Sequence, residues 1–376
     1  MGKIVFVTQD CVVGGGTSSL SSLYNHIKNE YNVEVFQLTR SGGANVSYSE
    51  VIRRATWFND LYYSSCASQK GWRRIIALLV KIFSRMFPSV IKLSVRKFER
   101  EYNDATCIIA FGEGAAAHFV SNIRSIRKIT WIHYDITYYP ACKKDLQLYS
   151  RFDNIVCVSS NVAEGMKKMY PSLKDKIVGI HNLVDPTRVN RLSHETIKLS
   201  DEYLYDTPFT IISIGRICRV KRFHHIPQIA SVMKQKGINF RWIIVGPAND
   251  IAELNKLQEY IVANNVSDCV AWIGPRTNPY SYLSRANLLV STSETEACPM
   301  IFIESKILRV PIVSASMLTA DEFIKNGTDG LIVPINQISE AIMSLIADPI
   351  MYDSFKRNAD NQIQNENSLA TFRSII

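Results

Sequence analysis

Apolar residues recur in short runs along the chain, and most of these runs are followed directly by small or polar residues. The runs predict strands at 3–8, 33–38, 107–111, 128–132, 155–158, 177–180, 209–214, 240–245, 269–273, 288–291, 310–314 and 330–333. Many of the stretches between them carry apolar residues at helical spacing. Strands that alternate with helices are typical of parallel α/β sheets, in which ligands bind beyond the carboxyl ends of the strands.

The pattern weakens near the middle of the chain. Residues 185–207 hold Pro186 and a run of charged residues that predict a linker. We therefore predict an α/β domain over 1–190, a linker over 191–207, a second α/β domain over 208–350 and a helical tail over 351–376. The site is expected in a cleft between two such domains.

Composition narrows the class of protein. The 376 residues are 47% apolar and 20% charged, which is typical of a globular protein with two domains. No run of apolar residues is long enough to span a membrane, and the first residues predict a strand rather than a signal peptide. The eight cysteines show neither Cys-x-x-Cys nor zinc-site spacing, so we expect a reducing cytosol and no structural metal.

The formal charge of +9 is concentrated in one segment. Residues 69–100 contain nine Lys and Arg but one acidic residue, interleaved with large apolar residues. This pattern predicts a helix on an anionic membrane surface, whereas the alternative is a core helix with a charged outer face. The apolar interleaving suits a bilayer better than nucleic acid. The candidate surface residues are Arg73, Arg74, Lys81 and Arg85.

Two glutamates bracket a turn in the second half. Glu296 and Glu304 are separated by seven residues, after a predicted strand and around the start of a helix near Met300. A helix N-terminus presents free N–H groups and favours negative charge, so it suits a phosphate. The two carboxylates are then acceptors for sugar hydroxyls; the alternative is that they are solvated or capping residues.

Two cations follow the first strand of the second half. Gly215 and Arg216 come directly after the strand, and Lys221 follows five residues later. Arg grips phosphate oxygens bidentately and Lys acts as a point charge, so the pair suits a leaving diphosphate. Near the N-terminus, Gly15 and Gly16 belong to a glycine-rich loop between a strand and a helix, which allows close approach to a ligand or simply a tight turn.

These motifs together resemble a known family. Gly215-Arg216 with Lys221, and Glu296 with Glu304, are similar to the motifs of the retaining glycosyltransferases of family 4, which have the GT-B fold of two Rossmann-like parallel-sheet domains facing each other across a deep cleft. The strand ends at Gly246 and Gly274 resemble that family as well, and the likeness is specific from about residue 209 to 335.

The resemblance implies roles for individual residues. Arg216 and Lys221 would neutralise the donor diphosphate, Glu304 would accept from the ribose hydroxyls, and Glu296 would hold the donor sugar. The backbone of Cys298, Pro299 and Met300 would share in holding the sugar, while Gly15 and Gly16 would approach the phosphates and His133 the transferred sugar. The resemblance also implies that the Rossmann-like domain over 1–190 binds the acceptor and the one over 208–350 the nucleotide sugar. It implies retention of anomeric configuration without a bound metal or other cofactor.

The chain also departs from the family. Glu294 adds a carboxylate without an assigned role, and Cys298-Pro299 replaces a glycine-containing pair. The chain ends at Ile376, early for a family whose last helix returns to the N-terminal domain, so the tail either makes this return or stops short of it.

The function expected from these observations is transfer of a hexose or N-acetylhexosamine from a nucleotide sugar, with UDP favoured, to a glycan or polyprenyl-linked saccharide. The setting would be bacterial surface-polysaccharide assembly, on the cytoplasmic face of the cell membrane. Two alternatives remain: a non-hydrolysing sugar-nucleotide epimerase, which should lack the two motif pairs, and a non-catalytic subunit that keeps the fold.

Overall fold

The computed structural model describes residues 1–11, 14–40, 46–64, 72–86, 89–138, 140–359 and 365–376. The chain divides into two compact units. The first comprises Met1–Leu183 with Gln364–Ile376, and the second comprises Val184–Ile363.

The first unit is built on a seven-stranded sheet, in which every neighbouring pair is parallel and the strand order is β3-β2-β1-β4-β5-β6-β7. Its strands are β1 Lys3–Thr8, β2 Asn32–Gln37, β3 Ile52–Arg54, β4 Cys107–Phe111, β5 Arg127–Ile132, β6 Asn154–Cys157 and β7 Ile177–Gly179. The central strands are buried on both faces, which explains their continuous apolar runs.

Helices connect these strands. They are α1 Gly15–Ile27, α2 Trp57–Tyr63, α3 Trp72–Met86, α4 Ser89–Glu101, α5 Ala115–Val120, α6 Lys143–Tyr149 and α7 Ser160–Met169. Local capping sets several starts: the Ser159 hydroxyl, for example, accepts from the amide of Val162 at the start of α7.

The second unit has a six-stranded parallel sheet in the order β10-β9-β8-β11-β12-β13. Its strands are β8 Thr210–Ile214, β9 Arg241–Val245, β10 Val270–Trp272, β11 Leu288–Ser291, β12 Ile312–Ala315 and β13 Gly330–Val333. Its helices are α8 Pro186–Ser193, α9 Ile226–Gln235, α10 Ile251–Ala263, α11 Tyr280–Leu283, α12 Met300–Ile307, α13 Ala320–Phe323, α14 Ile338–Ala347 and α15 Pro349–Asn358.

The boundary between the compact units differs from the predicted domain end at 190 and the predicted linker over 191–207. The units divide after Leu183, and residues 184–207 belong to the second unit, where they form α8 and a 3₁₀ segment, Leu199–Tyr205. The charged run is folded because Asp201 accepts from the Arg276 guanidinium at 2.7 Å and from the Tyr282 hydroxyl at 2.7 Å. The sequence alone does not distinguish a charged residue that is buried with its partners, such as Asp201, from one that is exposed to solvent.

The tail divides between the two units. Residues of α15 belong to the second unit, whereas the last helix, α16 Asn365–Ser374, belongs to the first. Phe372 is fully buried there with its ring centroid 5.9 Å from that of Trp131, and Arg373 pairs with Glu30 at 2.6 Å. The last helix therefore makes the return that the sequence left open.

Strand β3 was not predicted. It has three residues, two of them Arg53 and Arg54, and it pairs in parallel with β2 at the sheet edge. So short and charged a segment has no alternating pattern to detect. Across the described residues, no helix combines the length and the apolarity needed to cross a membrane.

Candidate functional site

Three glycines lie where neighbouring strands of the second unit end. Gly215 follows β8, Gly246 follows β9 and Gly274 follows β10. Gly246 has a φ of +147°, and a Cβ built on it would lie 1.9 Å from the carbonyl oxygen of Gly215. Its amide donates to the carbonyl of Gly274 at 3.0 Å. The three predicted glycines thus meet, and close backbone approach explains why Gly246 carries no side chain.

Lys221 and Glu296 form an ion pair. The Lys221 Nζ lies 2.8 Å from Glu296 Oε2, and both side chains are only 15% exposed. The lysine stem also packs against Gly215, since a Cβ there would lie 3.1 Å from Lys221 Cε. Two residues predicted from separate motifs are therefore in direct contact in the second unit.

Glu296 has further partners that hold its carboxylate and its backbone. The Ser293 hydroxyl donates to Glu296 Oε1 at 2.8 Å, and the Thr319 hydroxyl donates to the Glu296 carbonyl at 2.7 Å. With one oxygen on Lys221 and the other on Ser293, the carboxylate has a fixed orientation. Sequence reasoning did not assign roles to Ser293 or Thr319, although Ser293 lies in the lead-in of the motif.

Two backbone contacts connect the turn to the lysine segment. The Glu294 amide donates to the carbonyl of Val220 at 2.8 Å, and the Thr292 hydroxyl donates to the carbonyl of Lys221 at 2.7 Å. Glu294, which had no role in the sequence analysis, pairs with Arg222 at 3.3 Å. Glu294 therefore helps to hold the two segments together.

Arg216 differs from Lys221 in being exposed, and it has no ion-pair partner among the residues that the structure describes. It directly follows Gly215, whose amide is held by the Val245 carbonyl at 2.9 Å. An unpaired guanidinium on an anchored backbone keeps its full capacity to bind an anion.

The turn from Cys298 to Met300 leads directly into α12. Met300 is the first helical residue, and Pro299 provides no side-chain cap. The first amides of α12 are thus not satisfied by a capping side chain, which leaves donors at the helix N-terminus. This is the geometry for which the sequence predicted an anion or sugar contact.

Glu304 lies on the same helix and contacts α11 instead of the Lys221 pair. The Tyr280 hydroxyl donates to Glu304 Oε1 at 2.8 Å. Burial raises the pKa of the Glu304 carboxyl, and the Tyr280 hydroxyl together with the charge of Arg188 opposes part of that rise. Tyr280 was not predicted, because nothing in the sequence links it to a residue 24 positions away.

If Glu304 accepts from ribose hydroxyls, as the resemblance implies, Tyr280→Phe should weaken nucleotide binding in a pH-dependent way. Loss of the hydroxyl raises the Glu304 pKa further, and a protonated carboxyl accepts ribose hydroxyls less well. As the pH is lowered, the variant should therefore begin to lose affinity at a higher pH than the wild type does. Titration calorimetry with UDP at several pH values measures this shift, and the loss of affinity relative to the wild type should grow as the pH falls. A uniform loss at every pH would contradict the role given to the Glu304 charge.

In the first unit, Gly15 and Gly16 do not lie in the predicted loop. They are the first two residues of α1, both are exposed, and Gly14 provides no side-chain cap. A Cβ built on either glycine would meet no atom within 4 Å. The prediction of a loop at Gly15 and Gly16 is therefore corrected to a helix N-terminus. The predicted phosphate position still has free space around it and helix amides without a side-chain cap.

His133 follows β5 and is held by Glu113, which follows β4. The carboxylate of Glu113 accepts from the backbone amides of His133 and Tyr134, the latter at 3.0 Å. Burial lowers the pKa of His133 to about 4, and its Nε2 is buried without a hydrogen-bond partner among the described residues. Burial raises the pKa of Glu113. Glu113 stood at a predicted strand end but received no role from the sequence.

The depressed pKa of His133 should make the first unit acid-labile. Above about pH 6.5 the imidazole is neutral in both the folded and the unfolded state. Between about pH 6.5 and pH 4 only the unfolded chain binds the proton, because burial keeps the imidazole of the folded protein neutral. Up to about 3 kcal/mol of folding stability is therefore lost as the pH falls through this range. His133→Phe should flatten this part of the curve of unfolding free energy against pH. The exposed His118→Phe is the matched control, and equal slopes for all three proteins would contradict the prediction.

Two of the four basic residues that the sequence assigned to a membrane or acceptor surface contact the neighbouring part of the first unit instead. Arg73 pairs with Asp60 at 2.9 Å, and Lys81 Nζ donates to the carbonyl of Ser64 at 2.8 Å, so both residues attach α3 to α2 and its C-terminal flank. Arg74 is exposed as predicted, and the side chain of Arg85 lies outside the described part of the structure. Arg73 and Lys81 are therefore anchors of the helix.

Part of the second unit matches a known protein family. Residues 195–362 match the family described as "Glycosyl transferases group 1". Within the described residues, no group of three His, Cys, Asp or Glu side chains could hold a metal ion.

Curated relatives share modest identity. The capsular polysaccharide biosynthesis glycosyltransferase CapM of Staphylococcus aureus is 25% identical over 174 residues, which cover 45% of this chain and 45% of CapM. The lipopolysaccharide core biosynthesis glycosyltransferase LpsE of Rhizobium meliloti is 24% identical over 74% of this chain and 78% of LpsE. The chain spans less than half the length of several other curated relatives it matches, such as MJ1059 of Methanocaldococcus jannaschii at 45%.

Solved structures extend the likeness to the whole chain. Anabaena Alr3699/HepE, in complex with UDP and glucose, superposes with a TM-score of 0.75 at 16% identity and covers 100% of both chains. A mutant of S. aureus TarM, in a complex containing UDP, gives a TM-score of 0.71 at 15% identity and covers 100% of this chain and 99% of TarM. Such low identities support the fold alone, and the predicted GT-B fold of two Rossmann-like parallel-sheet domains is confirmed.

Proposed function

We propose that this protein is a retaining, metal-independent glycosyltransferase of the family-4 type. It moves a hexose or N-acetylhexosamine from a UDP-linked donor to a glycan or polyprenyl-linked saccharide in surface-polysaccharide assembly at the cytoplasmic face of the membrane. The match of residues 195–362 to group 1 glycosyl transferases supports the reaction class. The names of CapM and LpsE support the pathway class, and the UDP and glucose bound to HepE support the donor.

The observation that carries the proposal is the ion pair between Lys221 and Glu296. At 2.8 Å and largely shielded from solvent, it holds a cation and a hydroxyl acceptor at a fixed separation. An ammonium has three N–H donors, so one bond to Glu296 leaves others for a phosphate oxygen. Preorganised charge of this kind stabilises a transition state without costly rearrangement.

The proposed reaction breaks the bond between the sugar C1 and the diphosphate oxygen. Arg216 and Lys221 stabilise the negative charge that develops on the leaving diphosphate. The acceptor oxygen bonds to C1 on the face that the diphosphate leaves, and its proton passes to a diphosphate oxygen, so configuration at C1 is retained. Glu296 holds sugar hydroxyls through the carboxylate that Lys221 and Ser293 orient.

The test is donor hydrolysis by the purified full-length protein. A panel of UDP- and GDP-sugars is incubated with the protein, and the nucleotide released is measured for the wild type, Glu296→Ala and Arg216→Ala, with EDTA present and absent. We expect release from a UDP-sugar, strong loss in both variants and no effect of EDTA. Activity that survives both substitutions would refute the site.

The stereochemical part of the proposal needs a separate measurement. Proton NMR of the sugar first released from an α-linked UDP donor should show the α anomer. A β product would refute retention while leaving the transferase class intact. Interconversion of the donor without nucleotide release would instead identify an epimerase.

A further inference from the structure

The outer face of α3 consists of large apolar side chains that nothing in the described structure covers. Five of them are between 46% and 71% exposed, namely Trp72, Ile75, Leu78, Leu79 and Ile82. Spacings of three and four residues place them on one side of the helix. A contiguous apolar patch of this kind marks an interaction surface, because solvent exposure of so much apolar area is unfavourable.

The opposite side of α3 fixes the orientation of the helix. Ala77 is fully buried, Arg73 pairs with Asp60 at 2.9 Å, and Lys81 bonds the carbonyl of Ser64 at 2.8 Å. The apolar side chains cannot turn inward without breaking these contacts. Their exposure is thus a consequence of how the sequence arranges the helix.

The next helix, α4, carries exposed positive charge. It contacts α3, and it buries Val95 and Phe98 against the first unit. Its exposed side chains include the cations Lys92, Arg96, Lys97 and Arg100. Exposed cations on a helix that contacts α3 are complementary to an anionic bilayer, whereas like charge on two copies of α4 opposes association of this region with a second copy of the chain.

We propose that the outer face of α3 inserts into the interface of an anionic phospholipid bilayer, with the exposed cations of α4 against the headgroups. The apolar face supplies the insertion, while Arg73 and Lys81 serve as internal anchors. This changes the sequence expectation, which assigned the membrane contact to those cations. The proposal goes beyond the transferase assignment, because vesicle binding is measured without donor or acceptor.

The test is flotation of the full chain with vesicles of phosphatidylcholine, with and without phosphatidylglycerol. We expect binding to the anionic vesicles, and the double variant Ile75→Ser/Leu79→Ser should partition at least about tenfold more weakly. Ile251→Ser/Val262→Ser is the matched control: it removes two side chains that are 62% and 69% exposed on α10 and should bind like the wild type. Equal flotation of all three proteins would overturn the proposal, as would no flotation of the wild type.

A second readout reports insertion directly. Trp72 is 71% exposed, so phospholipids with brominated acyl chains should quench part of the tryptophan fluorescence, and Trp72→Phe should abolish that part. Sedimentation velocity tests whether a second copy of the chain covers this face instead of a bilayer. Concentration-dependent dimers that disappear in Ile75→Ser/Leu79→Ser would assign the face to a second copy and overturn the bilayer proposal. Thermal unfolding that matches the wild type confirms that the variant is folded.

Discussion

Replacing Gly246 with alanine is expected to destabilise the second unit by at least about 3 kcal/mol. The new Cβ would lie 1.9 Å from the carbonyl oxygen of Gly215, and the residue would also have to keep a φ of +147°. Neither can be relieved locally, because the Gly215 amide is bonded to Val245 and the Gly246 amide to Gly274. The ends of β8 and β9 must separate, which displaces the segment that carries Arg216 and Lys221.

The matched control is Gly237→Ala. Gly237 also has a positive φ, +75°, but a Cβ there would meet no atom within 4 Å. It should therefore cost only the backbone strain, about 1 to 2 kcal/mol. Urea unfolding of the two variants, together with UDP affinity by calorimetry, separates strain from collision. If Gly246→Ala unfolds at the same urea concentration as Gly237→Ala, the close approach of the two strand ends is not important for stability.

Much of the sheet could be predicted because its strands are buried on both faces. Ile4 to Val7 in β1 and Trp242 to Val245 in β9 are almost completely shielded, so their sequences are unbroken apolar runs. The glycines at the strand ends could be predicted from the resemblance. The contact of Gly246 with Gly215 could not, because it depends on how two strands approach each other in space.

Contacts across long sequence separations account for most of what the sequence missed. Glu296 was predicted, but its bond to Lys221 joins residues 75 positions apart, and only the fold brings them together. For α3, the amphipathic pattern could be predicted, but the choice of inward side could not. The inward side carries Arg73, which pairs with Asp60. A pattern of apolar residues contains no information about such a partner.

The largest loss of activity is expected from the pair Lys221 and Glu296. Glu296→Ala should lower kcat/KM for donor hydrolysis by about 10³-fold and Lys221→Ala by about 10²- to 10³-fold, typical of losing one preorganised group in a shielded site. Glu296→Gln should fall between Glu296→Ala and the wild type, because the amide still accepts from Ser293 but lacks the charge that holds the ammonium.

The double variant distinguishes a coupled pair from two independent groups. Each residue restrains the other, so Lys221→Ala/Glu296→Ala should be little worse than Glu296→Ala alone, which corresponds to a coupling energy of about 3 kcal/mol. Glu294→Ala is the control, since it breaks a neighbouring and more exposed ion pair, to Arg222 at 3.3 Å, between the same two segments. It should change kcat/KM less than about threefold. Fully additive losses in the double variant would mean that Lys221 and Glu296 act independently. A comparable loss in Glu294→Ala would instead mean that the ion pair only fastens two loops. In either case the assignment of Lys221 to the diphosphate would lose its main support.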